Sequence, residues 1–173
     1  MRCTIMATVS IASLLMVACS PEFNWRQTAL TPTNLQAVFP CKPETAVRPV
    51  TLGGQAMQLH MASCTTAGVT LAIGHAAMPL PHDAGAVLRQ WRQTTLATMR
   101  GKVVGEKAFT IASAPALPDA VSLHALGTGP QGSSLTLHAA WFVQGSTAFV
   151  AMVYGGTVRP EVADTFLSGL ILR

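Results

Sequence analysis

The sequence predicts an α+β domain: a single antiparallel sheet of about six or seven strands with two helices packed on it. Three observations lead there. Short apolar stretches with apolar–polar alternation recur between Gly, Pro and Asn punctuation, the signature of antiparallel strands. Helical spacing of apolar residues occurs in only two places, one mid-chain and one near the C-terminus. No repeat, low-complexity run or shift in composition marks a second domain.

The elements follow in order. Phe23 to Gln27 is a short candidate strand, and Thr31-Pro32-Thr33-Asn34 turns the chain. Leu35 to Phe39 alternates and stops at Pro40. Pro43 and Pro49 confine the next stretch to a loop or a sheet edge, because proline has no N–H to give to a ladder. Val50 to Leu52, the Gly53-Gly54 turn and Gln55 to Cys64 form a hairpin. In its second arm Met57, Leu59 and Met61 share one face, and Gln58, His60 and Ala62 the other, more polar one. A turn at Thr65 to Gly68 leads into Val69 to Ile73.

Asp83 then caps a helix over Ala84 to Arg100, its carboxylate placed to accept free N–H groups of the first turn. Ala84, Leu88, Trp91, Thr95 and Met99, with Val87 beside them, make the inner stripe, while Arg89, Arg92 and Gln93 face outward. Gly101 is expected to end the helix. Lys102 to Ala108 is a short strand and Ala114 to Pro118 a loop. Val121 to Leu126, Ser134 to Gln144 and Thr147 to Tyr154 follow as three successive antiparallel strands. Pro160 opens a last helix over Glu161 to Leu167, and Leu170 to Leu172 closes the chain as a strand.

The N-terminus carries an address. Arg2 is followed by a short apolar run, then by Met16-Val17-Ala18-Cys19. A charged start, a short apolar run and a small-residue cleavage site make a secretory signal. The run is short against the roughly 20 residues of a membrane-spanning helix. Met16-Val17-Ala18-Cys19 resembles the lipobox of bacterial lipoproteins, with Met16 where Leu is commonest. The resemblance implies cleavage before Cys19, diacylation of its thiol and a lipid anchor in the membrane. Ser20, where inner-membrane lipoproteins carry Asp, implies the outer membrane, with the domain facing the periplasm. The alternative is an ordinary signal cleaved near Ala18 and a periplasmic protein without lipid. The expected organisation is a signal peptide over 1–18, a lipidated N-terminus and short first strand over 19–30, and one α+β domain over 31–173.

Removing 18 of the 173 residues leaves 155, enough for one domain that buries about two thirds of its unfolded surface. Losing Arg2 leaves 10 basic against 7 acidic residues, a net charge of +3. No dense basic run accompanies it, so no nucleic-acid partner is expected. Four cysteines are encoded; Cys3 leaves with the signal and Cys19 takes lipid. Cys41 and Cys64 remain as an even pair in an oxidising compartment and are expected to form a disulfide.

The order of elements resembles the PsbP-like fold. The residues that carry the likeness are Asn24-Trp25, Val38-Phe39-Pro40, the strand-rich second half and Thr165-Phe166-Leu167-Ser168-Gly169-Leu170-Ile171-Leu172, where Gly169 stands at a usual aromatic position. The resemblance implies a scaffold for binding or assembly, not a reaction.

Histidine is the one chemical handle. His60, His124 and His138 fall on the more polar faces of their strands, and three converging imidazoles could bind zinc or copper. The competing reading is three separate, half-exposed strand histidines. His82-Asp83 reads as a helix cap and its neighbour rather than a dyad. No serine sits in Gly-x-Ser-x-Gly, and Gly127-x-Gly129-x-x-Gly132 lacks the following helix that dinucleotide binding requires, leaving a hairpin loop. The seven acidic residues offer no carboxylate pair. The expectation is a small envelope lipoprotein without cofactor or catalysis, a binding or assembly module with an envelope protein as partner. A histidine-based periplasmic metal binder and a hydrolase with an unrecognised site are the rivals.

Overall fold

The computed structural model describes residues 22–80 and 83–173. Cys19, the lipobox and His82 lie outside them. The described residues form ten strands and two helices. In order they are β1 (Arg26–Ala29), β2 (Leu35–Phe39), β3 (Glu44–Leu52), β4 (Gln55–Thr66), β5 (Val69–Ala77), α1 (Ala84–Thr98), β6 (Lys102–Ala108), β7 (Val121–Thr128), β8 (Ser134–Gln144), β9 (Thr147–Gly155), α2 (Pro160–Ser168) and β10 (Ile171–Leu172).

The α+β class holds; the single sheet does not. Seven strands form one antiparallel sheet in the order β3-β4-β5-β9-β8-β7-β6, and β1-β2-β10 form a second, three-stranded sheet. β2 pairs with β1 and β10 rather than with the large sheet, and buries its alternate residues Leu35, Ala37 and Phe39 in the shared core. Trp91 of α1 lies against Gly74, between the side chains of Met61 and Val150, so α1 covers one face of the large sheet. A Cβ at Gly74 would stand 2.8 Å from the Met61 sulfur and 3.2 Å from the Trp91 ring, which is why that strand position has no side chain. The small sheet and α2 cover the opposite face, with Phe39 and Phe166 meeting edge to face at 5.4 Å. The core is therefore double: helix, sheet, then sheet plus helix.

Local chemistry sets the ends. Gly53 and Gly54 both have positive φ, as the two-residue turn between β3 and β4 demands. Asp83 caps α1 by accepting the Ala86 N–H at 3.0 Å. The C-terminus differs from expectation: Arg100, not Gly101, takes the left-handed conformation, at φ 47°. The N–H of Arg100 donates to the carbonyl of Ala97 and that of Gly101 to the carbonyl of Leu96, which closes the last turn. Among the described residues no helix is long and apolar enough to cross a membrane.

Candidate functional site

One row of side chains crosses the large sheet on the face turned to the small sheet. The registers pair Val47 with His60, His60 with His75, His75 with Phe149 and Phe149 with Phe142. Directly paired residues share a face, so five strands contribute one continuous ladder. The rings touch along its length. His60 stacks on His75 at 5.0 Å, His75 meets Phe149 at 6.0 Å, Phe149 stacks on Phe142 at 5.1 Å, and Phe109 continues the series at 5.6 Å. Phe142 and Phe149 are fully buried; Val47, at the other end, is 55% exposed.

Over the open end lies a cleft of about 840 Å³. Its floor is Val47, His60, Ala62 and His75, and one side is the whole of β1. The segment Pro40 to Pro43 forms another wall. That wall is fixed by Cys41, which pairs with Cys64 of β4 at a Cα separation of 5.9 Å, the expected disulfide. Lysine and arginine contribute Lys42 and Arg26, and among the described residues no Asp or Glu lines the cleft.

The histidines do not assemble as the metal reading requires. His60 pairs with His75, which sequence reasoning passed over, and His124 pairs with His138 as a second stack at 4.4 Å. His138 lies four residues along β8 from Phe142 and two strands from His75, roughly 13 Å along and about 10 Å across by standard strand dimensions. Within each stack the planes are nearly parallel, 7° and 8° apart. Imidazole lone pairs lie in the ring plane, so two parallel stacked rings do not aim at one ion. Among the described residues no group of three His, Cys, Asp or Glu side chains could hold a metal.

Electrostatics separate the two stacks. Burial, with the His60 imidazole beside it, pushes His75 down from 6.5 to about 4. Burial also lowers His138, helped by His124, and the Asp164 carboxylate on α2 opposes that shift. The faces counted as polar in β4, β7 and β8 are thus partly interior. A signal existed: Ala139–Val143 of β8 and Ala148–Met152 of β9 are continuous apolar runs, a pattern of strands covered on both faces, and all five of the first and the first four of the second are buried.

Other expected features sit apart from the cleft. Gly127 and Thr128 end β7, and Gly129 to Ser133 form the hairpin loop to β8. Trp141 and Trp91 are core residues, and Trp25 stacks on Phe23 at 5.7 Å.

No family model matches the chain. No curated protein matches it. Among solved structures it is similar to the crystal structure of PA94, a Pseudomonas aeruginosa protein of unknown function described as a candidate regulator. The identity is 13%, the overlap covers 76% of this chain and 82% of that one, and the TM-score is 0.41. A likeness of that size carries no argument about function.

Proposed function

We propose that this chain is a lipid-anchored module of the bacterial envelope that binds a partner in the cleft beside β1 and performs no chemistry of its own. The observation that carries the reading is the cleft: about 840 Å³, at the uncovered end of an otherwise sealed aromatic row, with one wall pinned by the Cys41–Cys64 pair. That volume lies in the range of ligand sites, roughly 300–1,000 Å³. The address rests on Met16-Val17-Ala18-Cys19, and the disulfide suits an oxidising compartment. Cys19 precedes Glu22 by three residues, at most about 11 Å of extended chain. The anchor therefore holds the domain close to the membrane, on its periplasmic side, with the outer membrane favoured by Ser20. A PsbP-like layout, a scaffold for binding and assembly, agrees with this role.

Mass spectrometry of the mature protein tests the address. The expected N-terminus is a diacylated Cys19, and Cys19→Ser should move the protein from the membrane to the soluble fraction. An unmodified N-terminus at or near Cys19 would mean a periplasmic protein without lipid. A retained leader with Cys41 and Cys64 both reduced would overturn the envelope reading.

A further inference from the structure

The cleft has the shape of a missing strand. It borders all four residues of β1, Arg26 to Ala29. Side chains of a strand alternate between faces, so a cavity that touches four residues in succession lies along the strand's edge. β1 is the terminal strand of its sheet, paired on one side with β2 and on the other with nothing among the described residues. Beyond that edge the floor runs from the buried His75 through the half-buried His60 to the exposed Val47, so cover is lost toward β3. The three-stranded sheet thus stops one strand short of covering the face beneath it.

The charge says what kind of strand fits. Arg26 and Lys42 both line the cleft, and among the described residues neither makes an ion pair. Among the described residues no carboxylate lines it, although Glu44 follows directly on its Pro43 wall. The floor beneath is Val47, Ala62 and the stacked imidazoles of His60 and His75.

We propose that an extended, acidic segment of a partner protein adds to β1 as a fourth strand of the small sheet. Its alternate side chains rest on Val47, His60 and Ala62, and its carboxylates meet Arg26 and Lys42. Backbone pairing with β1 supplies affinity, and the two cations supply selection. The inference rests on the reading of the cleft as a binding site.

The full chain, purified as the cell matures it, is selected against a library of random decapeptides. The expected winners are enriched in Asp and Glu and alternate with apolar residues. R26E/K42E should weaken the best of them by about ten-fold or more, while R48E, outside the cleft, should change binding by less than about two-fold. N-methylation of alternate residues should abolish binding on one edge of the peptide and be tolerated on the other. Peptides without acidic enrichment, or indifferent to methylation on either edge, would overturn the inference. So would a dimer in sedimentation that R26E/K42E dissolves, because β1 would then pair with a second copy. A fluorescent fatty acid, dansylundecanoate, separates the two levels. If it fills the cleft and no peptide is selected, the strand inference falls and the binding-module reading stands; if neither binds, both fall.

Discussion

Phe142 and Val47 stand in one row of one sheet, yet the first is fully buried and the second is 55% exposed. Val47 stands on the edge strand β3 and Phe142 on the interior strand β8, and the layer over them differs as well. Over Phe142 and Phe149 the face is closed by α2, which packs on β8 and β9 and is tied to β2 through Phe39 and Phe166. Over His60 and Val47 the covering layer has run out at β1. A face closed at one end and open at the other gives the proposed binding cleft its floor.

The closed end should give the largest effect. Phe166→Ala removes a fully buried ring that touches Phe39 and should cost about 3–5 kcal/mol in urea denaturation. A cost below about 1 kcal/mol would mean that α2 does not seal that end. Next comes the wall of the cleft: reducing Cys41–Cys64, separated by 23 positions, should destabilise by roughly 3 kcal/mol and loosen the Pro40 to Pro43 segment, measurable by thermal melts with and without reductant.

The two histidine stacks sharpen the comparison through pH. His75 is neutral in the fold and titrates at about 4, against 6.5 in the unfolded chain. The unfolded state therefore binds the proton first. The stability tied to a neutral His75 is fully present above pH 6.5 and is lost as pH falls through about 4. His75→Phe, which keeps a ring on His60, should flatten that loss. His138 shifts in the same direction, and Asp164 opposes the shift. Asp164→Asn should thus steepen the acid loss at the α2 end while leaving the His75 contribution in place. Denaturation midpoints between pH 7 and pH 4 check both.

Smaller effects belong to the N-terminal strap and the open end. Arg159 pairs with Glu22 at 2.8 Å and lies 5.1 Å over the Phe23 ring, with both charged groups more than half exposed. Arg159→Ala should cost about 0.5–1 kcal/mol and show chiefly as faster hydrogen exchange near Phe23 and Trp25. Val47→Ala should stay within about 0.5 kcal/mol.

Much of the fold was legible. Leu35–Phe39, Lys102–Ala108 and Ser134–Gln144 carry their strand boundaries in alternation and in flanking Pro and Gly, and Asp83 announces α1. Pro43 and Pro49 left a loop or a sheet edge open; the structure makes Glu44–Leu52 the edge strand β3, which starts well before the expected Val50. The second sheet was hidden because alternation describes one strand and its two faces, not the ladder it joins. Leu35 to Phe39 reads the same whether it extends the large sheet or packs on top of it. For the same reason His60 and His138 looked like residues of a solvent face. The partner histidines depend on register, and His60 meets His75 only once the β4–β5 hairpin fixes it. The cleft was not legible at all: it is a space left between two sheets, and no local pattern encodes the place where a layer ends.

The central claim is that the outer edge of β1 is open. Residue-resolved hydrogen exchange on the full chain tests it most directly. Alternate amides within Arg26–Ala29 point toward β2 and alternate ones toward the cleft. The account expects slow exchange at the first set and fast exchange at the second, with the fast set slowing when a selected acidic peptide binds. Uniform protection of all four amides without peptide would contradict it, because the edge would already be covered.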